Sequence, residues 1–164
     1  MIVLGIDPGL ATVGLGLVDA PSPHTVHVKE WLTITTKPGL ALTDRLKEIH
    51  TDLTDYLKQT RPDLAVVERL FFATNEKTAI DVAQARGCIL LALAEAQIPI
   101  LEPTPLQLKS AIAGDGKADK RQVQDMIMRM LSLTEVPKPD DAADALGLAV
   151  YGAVQSRPSL MGIA

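Results

Sequence analysis

The stretch Gly5-Ile6-Asp7-Pro8-Gly9, close to the N-terminus, decides the fold. An apolar run from Ile2 to Ile6 leads directly into a carboxylate, and Pro8 and Gly9 then supply turn residues. A short apolar run bounded by turn residues is typical of a buried strand. Asp7 would therefore lie at the tip of a core strand, where an isolated charge costs free energy unless another group compensates it.

The composition is typical of one globular domain. The chain has 164 residues, of which 47% are hydrophobic and 22% charged, and this length is enough to bury a sizeable core. The sequence contains no apolar run of membrane-spanning length and no basic segment of a signal peptide. We expect a cytoplasmic protein with one domain over residues 1–157 and a disordered tail over 158–164. Cys88, the single cysteine, is expected to be buried in a helix.

The net charge of −4 weighs only mildly against a nucleic-acid partner. Electrostatic attraction depends on the local field, and acidic residues gathered into one metal site would leave the remaining surface neutral or basic. Aromatic residues make up only 3% of the chain, and both phenylalanines, Phe71 and Phe72, are adjacent. Their location is therefore informative.

The hydrophobic pattern predicts strands first and then an alternation of helices and strands. Gly14 and Gly16, at alternate positions of the second strand, indicate a close approach of another backbone or a bulge. The predicted strands span 2–7, 12–19, 25–36, 64–67 and 98–101, and the predicted helices span 40–59, 75–96, 103–113, 118–131 and 140–155. This order predicts an α/β fold with a mixed five-stranded sheet flanked by helices.

Carboxylates from distant parts of the chain would meet at one end of this sheet. Asp7 and Glu68 each follow an apolar strand, and the last helix begins with Asp140-Asp141-Ala142-Ala143-Asp144. Asp141 and Asp144 are three residues apart, so they face the same side of the helix. Gathered like charges repel one another and raise their pKa values. A divalent cation would relieve the repulsion, and all-oxygen ligands suit Mg²⁺ or Mn²⁺.

Each acidic residue also has a simpler interpretation. Asp7 would be a turn former before Pro-Gly, and Glu68 would be an exposed strand end. An aspartate at a helix start is commonly an N-cap or a partner of the helix dipole, which we prefer for Asp140. The occurrence of four such acids in this chain order nevertheless favours one shared site, formed by Asp7, Glu68, Asp141 and Asp144.

Four ordered motifs carry a family resemblance. They are Gly5-Ile6-Asp7-Pro8-Gly9, Glu68-x-x-Phe71 with Asn75, Gln84-Ala85-Arg86-Gly87 and Asp141-Ala142-Ala143-Asp144-Ala145-Leu146. From Ile2 to about Val154 the chain resembles RuvC, the family of bacterial Holliday junction resolvases. The resemblance implies a ribonuclease H-like fold, a homodimer and symmetric cleavage of four-way junction DNA in recombination and repair. It also implies 5′-phosphate and 3′-hydroxyl ends, and the RuvA–RuvB branch-migration complex as a partner.

The resemblance also implies roles for single residues. The family's catalytic acids match Asp7, Glu68, Asp141 and Asp144, which would hold two Mg²⁺ or Mn²⁺ ions about 3.5–4 Å apart, with Asp7 bridging them. Family lysines near the scissile phosphate match Lys109 and Lys120, for which a solvated helix face is the alternative. Weaker candidates of the same kind are Lys117, Arg121 and Arg86.

The loop after Glu68 and the helix after it are the expected DNA and dimer contacts. Adjacent residues in extended chain point in opposite directions, so one of Phe71 and Phe72 would project and stack on or wedge between bases. The resemblance favours Phe71, and the alternative is that both are core residues. Small residues on one strip of the helix over 75–96 permit close helix contact within the monomer or across a two-fold axis.

Three other functions are compatible with parts of the pattern. A phosphate-loop ATPase of the actin or sugar-kinase type begins with a similar hairpin, but it needs a second such hairpin that this sequence lacks. A related ribonuclease H-like nuclease would act on RNA, although the Phe71 loop and the Asp141-x-x-Asp144 spacing favour the junction enzyme. A junction-binding protein without activity is disfavoured because all four acids are present.

Overall fold

The computed structural model describes residues 1–22, 25–69 and 76–156, and the fold in these ranges is the predicted α/β architecture. In chain order the elements are β1 (Ile2–Asp7), β2 (Thr12–Ser22), β3 (Thr25–Thr35), α1 (Leu42–Thr60), β4 (Leu64–Val67), α2 (Glu76–Glu95), β5 (Ile100–Leu101), α3 (Pro105–Ala113), α4 (Lys120–Leu131) and α5 (Asp140–Gln155). The predicted tail, 158–164, lies outside the described residues.

The sheet is mixed, and its strand order β3-β2-β1-β4-β5 places β1 at the centre. β1 pairs antiparallel with β2 and parallel with β4, while β3 pairs with β2 and β5 with β4. The parallel register aligns Ile6 with Val67. Because neighbouring parallel strands end at the same edge, Asp7 and Glu68 leave the sheet from adjacent strands, and adjacent strands in a sheet are about 4.8 Å apart.

Helices cover both faces of the sheet, which explains why β1 and β4 are continuous apolar runs. On one face α1 and α2 pack against β1, β2 and β4, with buried residues that include Leu4, Ile6, Leu15, Ile49, Leu53, Ile89 and Leu93. On the other face α5, α3 and α4 complete a second core that includes Val3, Val18, Val66, Ile127, Leu146 and Val150. No helix in the described ranges is both long and apolar enough to span a membrane.

Glycines let α5 lie directly on the sheet. A Cβ atom on Gly5 would overlap the carbonyl oxygen of Ala145, and one on Gly16 would lie 2.6 Å from the amide nitrogen of Leu146. A Cβ atom on Gly14 would overlap the carbonyl oxygen of Asp141. The predicted close approach at Gly14 and Gly16 is confirmed, and it brings the first turn of α5 against the end of β1.

About half of the element boundaries coincide with the prediction, and the others differ by one to three residues, the largest difference being the end of β2 at Ser22 instead of 19. β5 is shorter than predicted because Pro99 has no amide hydrogen, although its carbonyl oxygen still accepts from the amide of Ala65 at 2.9 Å. Cys88 is only half-buried rather than buried. Asp140 is not an N-cap, since Pro139 holds that position without a side-chain hydrogen bond.

Candidate active site

The tips of β1 and β4 bring two carboxylates into one cavity. Asp7 is the last residue of β1, and Glu68 directly follows β4. Both side chains are half-buried, and both line a cavity of about 200 Å³. Sequence spacing alone could not establish their proximity, because it depends on the parallel pairing of β1 with β4.

The first two turns of α5 supply the other two acids. Asp144 lines the same cavity as Asp7 and Glu68. Asp141 instead lines a neighbouring groove beside the β1–β2 turn. The charges of Asp141 and Asp144 both act on Asp7, so the structure brings all four predicted acids to one end of the sheet.

The electrostatics of Asp7 reflect this crowding. Burial and the charges of Asp144, Glu68 and Asp141 raise the pKa of Asp7 to about 7, and Lys120 opposes the shift. Burial, followed by the charge of Asp144, also raises the pKa of Glu68, while Lys109 lowers it. The ionised site therefore requires positive charge, and the two predicted lysines supply part of it.

Lys120 forms ion pairs with two aspartates of α5. Its Nζ donates a hydrogen bond to Oδ2 of Asp144 at 3.1 Å and lies 3.5 Å from Oδ2 of Asp140. Burial would lower the pKa of Lys120, but the hydrogen bond to Asp144 and both carboxylate charges raise it overall. Asp140 thus stabilises the position of a lysine at the site, in addition to lying at the positive end of the helix dipole.

The chemistry of the four acids fits divalent cations. Carboxylate oxygens are the ligands that Mg²⁺ and Mn²⁺ prefer, and the raised pKa values of Asp7 and Glu68 indicate that their charges are undercompensated. No three acidic, histidine or cysteine side chains within residues 1–22, 25–69 and 76–156 are close enough to bind one ion together. In this arrangement the Asp144 carboxylate accepts a hydrogen bond from Lys120.

The other predicted DNA contacts are divided between the cavity and the outer surface. Lys109 lines the cavity beside Glu68. Lys117 and Arg121 are exposed and line neither this cavity nor the groove beside Asp141. Phe71 and Phe72 lie outside the described residues.

Arg86 is bonded inside the protein, although the sequence indicated it as a candidate for phosphate contact. Its Nε donates to the backbone carbonyl oxygen of Glu68 at 3.0 Å, and its terminal nitrogen forms an ion pair with Glu102. Its side chain is only 14% exposed. Arg86 therefore connects α2 with the ends of β4 and β5, a role that no local sequence signal indicates.

The outward face of α2 carries apolar side chains without a covering element among the described residues. Ile80 is 70% exposed and Leu91 is 53% exposed. Gln84 and Gly87 lie between them on the same exposed face, at helical spacings of four and three. Apolar side chains this exposed on one face are typical of an interaction surface.

Sequence reasoning missed Arg45 of α1, which also lies beside the acids. Arg45 lines the groove that contains Asp141, and its Nε donates to the hydroxyl of Thr36 at 2.7 Å. An arginine on an amphipathic helix has the pattern of an ordinary exposed residue, so nothing in the sequence could have indicated this position.

Comparison with known proteins gives matches along nearly the whole chain. The model of the family described as crossover junction endodeoxyribonuclease RuvC matches residues 3–152. The crossover junction endodeoxyribonuclease RuvC of Halothermothrix orenii is 49% identical over 150 residues, which cover 92% of this chain and 90% of that protein. Thermus thermophilus RuvC has a solved structure that matches with a TM-score of 0.91 at 34% identity, over 97% of each chain. A structure of T. thermophilus RuvC in complex with Holliday junction substrate matches with a TM-score of 0.90 at 34% identity, over 97% of this chain and 96% of that one.

Proposed function

The chain belongs to the RuvC family of crossover junction endodeoxyribonucleases, and we propose that it resolves Holliday junctions by metal-dependent hydrolysis of phosphodiester bonds. The observation that carries this proposal is the convergence of four carboxylates on the β1 tip, within the fold of a relative solved with its junction substrate. Residues 1–157 would form the single nuclease domain.

In the proposed mechanism the four acids hold the cations and the lysines bind the substrate. Asp7, Glu68, Asp141 and Asp144 would ligate two Mg²⁺ or Mn²⁺ ions, which supply activation of the attacking water and stabilisation of the leaving oxygen. Asp7 would be the central ligand of the set, because the charges of the other three acids all act on it. Lys109 and Lys120, which line the cavity, would bind the phosphate and stabilise its added negative charge. The products would carry 5′-phosphate and 3′-hydroxyl ends.

A homodimer would place one such site on each of two opposing strands. We assign the dimer contact to the exposed face of α2, whose apolar side chains include Ile80 and Leu91. Two-fold symmetry of the protein then matches two-fold symmetry of the junction and yields paired nicks. The same proposal includes the RuvA–RuvB complex as a partner and, since the bacterial relatives act on DNA, a cytoplasmic location.

The segment after Glu68 would contribute an aromatic contact to the junction. We propose that Phe71 stacks on or wedges between bases and that Lys117 and Arg121 give weaker phosphate contacts. Loss of junction cutting with intact folding in Phe71→Ala, but not in Phe72→Ala, is the expected result. The reverse pattern would assign the contact to Phe72.

Cleavage of matched substrates tests the function directly. A synthetic mobile four-way junction, a linear duplex and an RNA–DNA hybrid are each incubated with the protein and Mg²⁺ or Mn²⁺. Paired nicks on the junction alone are expected, and equal cutting of the hybrid would identify a ribonuclease instead. Asp7→Asn should bind the junction and leave it uncut, and metal-dependent cutting by this variant would contradict the assignment of Asp7.

A further inference from the structure

A second groove adjoins the four-acid site at Asp141. It has a volume of about 320 Å³ and lies between the β1–β2 turn, α1, the first turns of α2 and the start of α5. Arg45, Thr78 and Asp81 line it together with Asp141 and turn residues 9–12. None of the lysines assigned to phosphate binding lines this groove.

The side chain of Arg45 is held in one orientation by a buried hydrogen-bond chain. Its Nε donates to the hydroxyl of Thr36 at 2.7 Å, and that hydroxyl donates to the carbonyl oxygen of Leu10 at 2.6 Å. Thr36 is only 5% exposed. The chain therefore ties the guanidinium to the turn that directly follows Asp7, so the groove and the catalytic carboxylate are fixed relative to each other.

Several hydrogen-bond donors at this groove have no partner in residues 1–22, 25–69 and 76–156. Among the described residues, the side chain of Arg45 forms no ion pair and donates one hydrogen bond, from Nε, so both terminal amino groups remain available. The amides of Leu10 and Ala11 likewise donate to no described residue. A fixed guanidinium with unpaired amino groups has the geometry that recognises a phosphate through two parallel hydrogen bonds.

We propose that this groove binds a backbone phosphate of the cleaved strand, beside the scissile phosphate, through Arg45. The inference rests on the proposed function, since it requires the strand to cross the β1 tip. Asp141 is shared by the groove and the four-acid site, so a strand that lies over the acids continues towards Arg45. The contact would position the strand and would not take part in bond breaking.

Asp81 provides the sharpest test of the groove's ligand. Its exposed carboxylate would repel an anion bound in the groove and would attract a cation. If a phosphate binds, Asp81→Asn should bind the junction more tightly than the wild type. Unchanged or weaker binding by Asp81→Asn would overturn the proposal.

Junction affinity measured with EDTA, which prevents cutting, tests the role of Arg45. Arg45→Ala should bind the junction about tenfold more weakly. The slope of log K against the logarithm of the salt concentration should be less steep by about one unit. Arg45→Lys should recover part of the affinity, and Thr36→Val should lose part of it without any change of charge. Lys47→Ala, which removes an exposed lysine of the same helix, is the control and should leave both the affinity and its salt dependence unchanged. Melting temperatures of all four variants confirm that they fold.

A chemically altered junction locates the contact. A neutral methylphosphonate at the phosphate beside the cleavage site should weaken binding of the wild type and leave binding of Arg45→Ala unchanged. Equal losses in both proteins would overturn the proposal. Failure of the wild type to cut any junction would instead contradict the proposed function, so the two failures are distinguishable.

Discussion

Asp7 is the residue whose environment most directly couples stability to function. Its pKa of about 7, against about 3.8 in an unfolded chain, means that the folded state binds the proton more tightly. Without cations, the stability contributed by this group is greatest below pH 4 and falls as the pH rises towards 7. The residue that we assign to the centre of the site therefore destabilises the metal-free protein at neutral pH.

Asp7→Asn should consequently stabilise the metal-free protein. At pH 8 we expect the free energy of unfolding of the variant to exceed that of the wild type by about 1–3 kcal/mol. This difference should shrink as the pH falls to 4. Urea denaturation in EDTA at several pH values measures it. Asp52→Asn, at an exposed position of α1, is the control. An equal gain in stability at pH 4 and pH 8 would contradict the electrostatic explanation.

Arg86 contacts the site through the backbone of Glu68, and we expect it to act by positioning that residue. Its hydrogen bond to the Glu68 carbonyl oxygen and its ion pair with Glu102 fix the end of β4 against the segment that leads to α3. Displacing a catalytic carboxylate by a fraction of an ångström lowers the rate more than it weakens binding of the whole substrate.

Arg86→Ala is therefore expected to cut junctions about 10–100-fold more slowly while binding them in EDTA with nearly unchanged affinity. The Mn²⁺ concentration needed for half-maximal metal binding should also rise, because Glu68 is a proposed ligand. Lys58→Ala, which breaks the exposed pair with Asp55 at 2.9 Å, is the matched control. A loss of affinity with an unchanged cutting rate would assign Arg86 to direct DNA contact.

The sequence predicted residues with a local signal and missed those whose role depends on contacts through space. Asp7 and Glu68 end apolar runs, and Asp141 and Asp144 share a helix face, so a pattern indicates each of them. Arg45 has no such pattern. The bonds of Arg86 join positions 68, 86 and 102, which become neighbours only after α2 and β5 have packed.

Among the secondary-structure elements, α5 depends most on the sheet beneath it. The glycines of β1 and β2 remove side chains from the surface on which α5 lies, and the atoms that a new Cβ would meet are backbone atoms. Backbone atoms cannot rotate away as a side chain can, so the helix itself would have to move. The two acids of α5 would then move away from Asp7.

Gly5→Ala should therefore destabilise the protein by about 2–4 kcal/mol and reduce cutting even where the protein remains folded. Urea denaturation and junction cutting at a low temperature are the two measurements. A Gly5→Ala variant with wild-type stability would show that α5 packs less closely.

The ends of the elements were harder to predict than their existence. The apolar period identified α3 and α4, but capping boxes set where they begin: Thr104 accepts from the amide of Gln107, and Asp119 accepts from that of Gln122. The shortening of β5 follows from hydrogen-bond pairing with β4. Pairing and capping depend on partner strands and on neighbouring polar residues, and the spacing of apolar residues gives no information about either.

For the whole molecule, the exposed face of α2 predicts the oligomeric state. Leu91→Glu would place a charge within the proposed dimer contact, and we expect a monomer by analytical ultracentrifugation at micromolar concentration. Cuts on the two opposing strands should then lose their coupling. Leu40→Glu, at another exposed leucine, should remain a dimer. A monomeric wild type would overturn the assignment of this face.

The close packing of α5 on β1 and β2 also has a consequence for protein synthesis. The strands that carry Asp7 and Glu68 leave the ribosome before α5, which ends only at Gln155. A nascent chain without α5 has two of the four acids and an uncovered apolar sheet face. The proposed four-acid site is therefore incomplete until α5 has been synthesised and packed, and a product truncated before α5 would expose its apolar sheet face without being able to act as a nuclease.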